Sequence, residues 1–170
     1  MYYKIIEYFG PKDDGWEKYL EWRKLKLSSF DSIDGILRPD LFDPKATEDW
    51  NNCVNEDYKL SLITNLEYAK SIFHKYKNAA IVGVEIVNSI EYSPEKLLLG
   101  FDIIDSYCSV SLLTNWGNDE ENLFSSKVQD NGLINDLKCA LEVRNMLRDK
   151  FAEDSHAENC QIWAVYKTIT

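Results

Sequence analysis

A chain of 170 residues with 45% apolar and 13% aromatic side chains is long enough to bury a core, which excludes global disorder. Its 29 acidic and 19 basic side chains leave a net charge of −10, a field that opposes direct binding to nucleic-acid phosphates. No apolar run is long enough to span a bilayer, and the first residues lack the apolar stretch and cleavage site of a secretory signal. The expectation is a single domain over residues 1–170, kept in the cytoplasm.

In chain order, residues 2–9 are rich in Tyr and Ile and stop at Gly10-Pro11, which reads as a strand closed by a turn. A helix is predicted over residues 15–25, capped from Asp13 or Asp14. Residues 28–57 carry two prolines and little periodicity, and are predicted to be irregular with a short extended piece near 33–37. Tyr58, Leu60 and Leu62 alternate as in a strand. Thr64-Asn65-Leu66-Glu67 then spells a capping box from Thr64, followed by an amphipathic stripe at Leu66, Ala69, Ile72 or Phe73, and Tyr76. A helix starting earlier, from about residue 60, fits the same stripe.

Residues 79–87 and 97–105 read as buried strands. The connection between them is short and holds no helix, so they are predicted to pair as an antiparallel hairpin. A short helix is expected within 118–130. Asn131-Gly132 breaks the chain, and Asn135 or Asp136 caps a long helix with Leu137, Ala140 or Leu141, Arg144, Leu147 and Phe151 on its buried stripe. Residues 160–169 close the chain as a strand. The predicted class is α+β: one mixed or antiparallel sheet packed with helices.

No local catalytic signature is present. The seven glycines do not cluster as a phosphate loop requires, and no Gly-x-Ser-x-Gly elbow or zinc-protease helix occurs. Cys53, Cys108, Cys139 and Cys160 are far apart, so free thiols are expected rather than a metal knuckle. No cofactor or metal is predicted. His74 reads as a surface or core-edge residue rather than a catalytic base, and His156 with Cys160 as a loop histidine before a strand cysteine. Asp102 and Asp105, three apart on a strand, point to opposite faces. Asp105 is expected to cap the turn, and Asp102 to sit on a solvated or hydrogen-bonded face.

Charge is unevenly distributed. Residues 28–57 hold eight acids and two bases, and residues 102–131 hold six acids and one Lys, so these two segments carry the whole excess. They can merely solvate the surface, or form a docking surface for a basic partner. For docking, Asp105, Tyr107, Trp116, Asp119, Glu120 and Glu121 form one candidate patch and Asp40, Asp43, Glu48 and Asp49 a second. Trp50 and Trp116 serve either as anchors there or as core residues.

The run from Leu99 through Gly100-Phe101-Asp102-Ile103-Ile104-Asp105, Ser109, Ser111, Thr114-Asn115 and Trp116-Gly117 resembles a segment of bacterial immunity proteins encoded beside polymorphic toxins. There, a Gly-aromatic-Asp/Glu-x-x-Asp strand end precedes a Ser- and Asn-bearing turn, a long helix, a His-bearing loop and a final aromatic strand. Here those fall at residues 135–151, at His156 and at residues 162–166, and the join at residues 62–70 is similar too. The resemblance spans residues 58–169. It departs where the family's Cys after the Asn is Trp116. It implies a cytoplasmic inhibitor that binds and blocks a cognate basic toxin domain, such as a nuclease, and it supplies no catalytic residues. The competing readings are another protein-binding adaptor, or an enzyme built on Asp102, Asp105, Cys108 or His156.

Overall fold

The computed structural model describes residues 1–7, 44–55, 62–74, 79–87, 97–114 and 124–168. Six strands form one sheet in the order β2-β3-β1-β4-β6-β5, every neighbouring pair antiparallel. The strands are β1 (Tyr2–Glu7), β2 (Val54–Asn55), β3 (Leu62–Ile63), β4 (Ala79–Ile86), β5 (Leu98–Ile104) and β6 (Gln161–Lys167). The α-helices are α1 (Pro44–Cys53), α2 (Leu66–Phe73) and α3 (Leu137–Lys150), with a 3-10 turn at Ser125–Lys127. This is the α+β class expected. The helix predicted over residues 15–25 and the extended piece near 33–37 lie outside the described residues.

The predicted β4–β5 hairpin does not form. β6 lies between them, pairing Val84 with Val165 on one side and Phe101 with Ala164 on the other, so β4 and β5 run parallel. The reason lies in β6 itself. Ile162-Trp163-Ala164-Val165-Tyr166 is buried at every position rather than at alternate ones. Such a strand is covered on both faces and belongs in the interior of a sheet. Burying such a strand between two others outweighs the convenience of a short local connection.

Register decides which face each side chain serves. Opposed residues share a face, so Ile5, Ile81, Ala164 and Phe101 lie on one side, while Ile6, Val82, Val84, Val165 and Trp163 lie on the other. Both α2 and α3 pack on the first side. α2 buries Ala69 and Ile72 against Ile5, Ile63 and Ile81. α3 buries Ala140, Val143 and Leu147 against Phe101, Ile103, Ile162 and Tyr166. Val143, absent from the predicted stripe, is one of these, whereas Arg144 is only half-buried. Arg148 ties α3 to the start of β6 by donating Nη2 to the Cys160 carbonyl at 2.5 Å. Tyr166 donates its hydroxyl to the Glu85 carboxylate.

Two boundaries moved. Residues 44–53, predicted irregular, are the helix α1. The strand at Leu62–Ile63 rules out a helix beginning at residue 60. The α2 cap is Asn65, whose Oδ1 accepts from the Glu67 and Tyr68 amides at 2.9 and 3.3 Å. Thr64, predicted as the cap, instead points its hydroxyl at the Cys53 carbonyl at 3.0 Å, stitching α2 to α1. Asn65→Ala is expected to cost about 1 kcal/mol in urea unfolding, the usual worth of an N-cap. Asp136 caps α3 as expected, accepting from the Cys139 amide at 2.8 Å.

The outer edge of β5 is covered by its own chain. Ile134 exchanges two backbone hydrogen bonds with Phe101, and Leu112 donates to the Ile103 carbonyl at 2.7 Å. A covered edge removes the template that would otherwise recruit another strand. Among the described residues no helix is long and apolar enough to cross a membrane.

Candidate functional site

β5 ends at Ile104, and the chain then reverses through residues 105–110 before running back along β5. The reversal is closed by Asp105 N to the Val110 carbonyl at 3.1 Å and Cys108 N to the Asp105 carbonyl at 3.0 Å. Cys108 takes φ of +50°, a left-handed conformation that a non-glycine residue adopts only when its surroundings enforce it. The enforcing group is the Asp105 carboxylate. Its Oδ1 accepts from the Ser109 and Val110 amides at 2.6 and 3.0 Å, and its Oδ2 accepts from the Ser109 hydroxyl at 2.8 Å. Asp105 therefore caps the turn, as its position predicts.

The fourth contact of that carboxylate is His156 Nδ1, at 2.8 Å from Oδ2. His156 comes from the loop between α3 and β6, whose neighbourhood to Asp105 follows from the β5–β6 pairing. Ile104 opposes Gln161, so the residue leaving β5 meets the loop entering β6. Ser106 reinforces the join. Its amide and hydroxyl donate to the His156 carbonyl at 2.9 and 3.0 Å, and its hydroxyl accepts from the Asn159 amide at 2.9 Å. The His156 amide is itself held by Asp154 Oδ1 at 2.8 Å.

Burial pushes the Asp105 carboxyl up. The amides of Ser109 and Val110, His156 and the Ser109 hydroxyl together outweigh it and hold the group below its ordinary value. The side chain of Asp105 is fully buried, while that of His156 is 45% exposed. Tyr107, at the tip of the turn, is 47% exposed. Its ring meets the imidazole edge-on, with centroids 5.1 Å apart at 74°.

The remaining candidates separate from this centre. Asp105 is no contact residue, because it is wholly buried. It reaches the surface only through His156 and the turn it shapes. Asp102 is also buried, and accepts from the Ser111 hydroxyl at 2.5 Å on the sheet face opposite α3. That hydroxyl in turn accepts from the Leu113 and Thr114 amides, so Asp102 anchors the segment beside β5. Cys108 is buried with its Sγ 4.0 Å from Gln161 Oε1, and burial followed by the Asp105 charge pushes its thiol up. A thiol so held is a poor nucleophile.

Cys160 is buried and Cys53 and Cys139 are partly so, all as free thiols, and His74 is exposed at the end of α2. Glu48 and Asp49 are exposed on α1. Trp116, Asp119, Glu120, Glu121, Asp40 and Asp43 lie outside the described residues, as does the side chain of Trp50. Among the described residues no group of three or more His, Cys, Asp or Glu is placed to hold a metal ion.

Sequence reading recovered the capping role of Asp105 but missed its contact with His156, 51 residues away, and the contact of Tyr107 with the same ring. The available signal was the unbroken burial potential of residues 162–166. A strand placed centrally beside β5 would have brought residue 156 to residue 105.

The fold and this centre define an α+β protein in which a carboxylate-locked turn presents a tyrosine and a histidine to solvent. Compared with protein-family models, curated proteins and solved structures, the chain matches none.

Proposed function

We propose that this chain is an immunity protein, which binds a cognate toxin domain in the cytoplasm and blocks it without catalysis. The observation that carries the reading is Tyr107: a large aromatic, half-exposed on a turn already held by Asp105 and braced by His156. An aromatic anchor held in place before binding loses little conformational freedom on contact, and such residues dominate interface energetics. The net charge of −10 supports a basic partner, since complementary charge speeds association.

The residues behind the resemblance also form one connected unit. Gly100 and Phe101 lie where the chain covers β5, Asp102 holds Ser111, and Asp105 holds Ser109 and His156. Among the described residues, Asp102, Asp105, Ser109, Ser111 and His156 of the pattern are thus joined by hydrogen bonds, while Asn115, Trp116 and Gly117 lie outside them.

The test is capture of the partner from the source cell at low and high salt, with the bound chain identified by mass spectrometry. A single basic toxin domain, bound more slowly as salt rises, supports the reading. Tyr107→Ala is expected to weaken that complex by roughly tenfold to a hundredfold, the range of an aromatic hot spot, while lowering the free energy of unfolding by about 1.5 kcal/mol at most, the scale of the ring contact it loses. Unchanged affinity would remove Tyr107 from the interface.

One observation favours a second reading. A buried carboxylate on Nδ1 of a half-exposed imidazole is the arrangement that orients an acid–base histidine. Its weakness is the neighbouring thiol, Cys108, which turns to Gln161 and is held protonated.

A further inference from the structure

The hydrogen bonds around Asp105 determine which nitrogen of His156 carries a proton. A carboxylate has about four lone-pair positions, and here the Ser109 amide, the Val110 amide, the Ser109 hydroxyl and His156 Nδ1 occupy four. The first three are donors, and no position is left for a proton on the carboxyl group itself. The contact with His156 is then a hydrogen bond only if Nδ1 is the donor. In the neutral imidazole, Nε2 is consequently a bare acceptor. Nothing among the described residues bonds to it, and the ring is 45% exposed. The Tyr107 ring stands beside it at 5.1 Å, also exposed.

A bare acceptor nitrogen on an imidazole that sits beside an exposed aromatic ring takes one kind of group well: a cation that donates hydrogen bonds through a flat or compact head. We infer that the Tyr107–His156 face is a subsite for a basic side chain, an arginine above all, which donates to His156 Nε2 and lies against the Tyr107 ring. Arginine suits it better than lysine. Its planar guanidinium stacks on a ring while its edge donates, whereas an ammonium is compact and more strongly hydrated. The surrounding protein favours any cation, since the chain carries −10 and the Asp154 carboxylate lies in the same loop as His156.

The inference deepens the reading of Tyr107 as a contact residue and rests on it, since it names what the partner inserts there. Its test needs no toxin. The whole protein is titrated with N-acetyl-arginine amide, and with the uncharged isostere N-acetyl-citrulline amide, while the imidazole nitrogens of His156 and the ring protons of Tyr107 are followed by NMR. With the imidazole neutral, the free protein is expected to show His156 as the Nδ1–H tautomer. The arginine compound should shift Nε2 and the Tyr107 ring together and saturably. Citrulline should bind roughly tenfold more weakly, having lost the charge that strengthens both contacts.

Tyr107→Leu, a change at an exposed position that leaves the clasp intact, should abolish the preference for arginine over citrulline. An Nε2–H tautomer in the free protein would overturn the inference, as would equal shifts from both compounds or a preference that survives in Tyr107→Leu. A protein that captures a toxin but ignores arginine refutes this subsite alone. One that binds arginine here but captures no partner refutes the immunity reading and leaves the subsite standing.

Discussion

Replacing Asp105 by Ala is expected to remove about 3–5 kcal/mol of stability, because it strips the acceptor from four donors at once in a buried site. The Ser109 and Val110 amides, the Ser109 hydroxyl and His156 Nδ1 would all lose their partner. Cys108 would lose the contacts that hold its φ at +50°. Urea unfolding measures the loss, and a cost below about 1 kcal/mol would mean that Ser106 and the backbone alone maintain the clasp.

The pH dependence carries a definite sign. The folded-state pKa of Asp105 is lowered, so its contribution is fully present above the ordinary carboxylate value near 4 and is lost as pH falls through the lower folded value. The part of the gap between the parent and Asp105→Ala that comes from the carboxylate's charge should therefore be present in full above about pH 4 and shrink only below it. Asp105→Asn separates shape from charge. Its amide presents a donor where Oδ2 accepted, so the imidazole is expected to switch to Nδ1 as acceptor, visible in the same NMR experiment.

Gly100→Ala should cost about 2–4 kcal/mol, from backbone strain together with overpacking. Gly100 sits at an irregularity of β5, between the pairings of Leu98 with Tyr166 and Gly100 with Val165, and has φ of +153°. A Cβ there would stand 2.8 Å from Leu133 Cβ and 2.9 Å from the Ile134 carbonyl oxygen. The second contact is backbone, and it belongs to the segment that covers the edge of β5 through Phe101, so it has little freedom to yield. Gly83→Ala provides the control. Its Cβ would meet the side chain of Met1 at 3.1 Å, a flexible neighbour at the terminus, and its φ is unexceptional. The expected change there is under about 1 kcal/mol. Similar costs at the two glycines would show that the close approach at Gly100 is not what requires a glycine.

These two positions also show how far the sequence reaches. Gly100 and Asp105 were legible as members of a pattern, and Asp105 as a cap, because capping is local chemistry within five residues. Strand identity was legible for the same reason. The runs at 79–87, 97–105 and 160–169 are β-branched and apolar whatever their partners, and Asp136 announces α3 by its own side chain. Local signals misled by one residue at Thr64, where two adjacent side chains can each cap and only the contact with Cys53 decides between them.

What composition and pattern determined alone is the class of protein, the identity of most strands and helices in the described residues, and a negative charge whose excess lies in two segments. The tertiary structure alone decided strand order, and with it the site. Pairing β6 between β4 and β5 is a choice among non-local contacts, in which β6 is buried on both faces between two other strands. No spacing along the chain encodes that choice. Once it is made, Ile104 faces Gln161, Asp105 meets His156, and the proton on Nδ1 follows from the filled lone pairs of a single carboxylate.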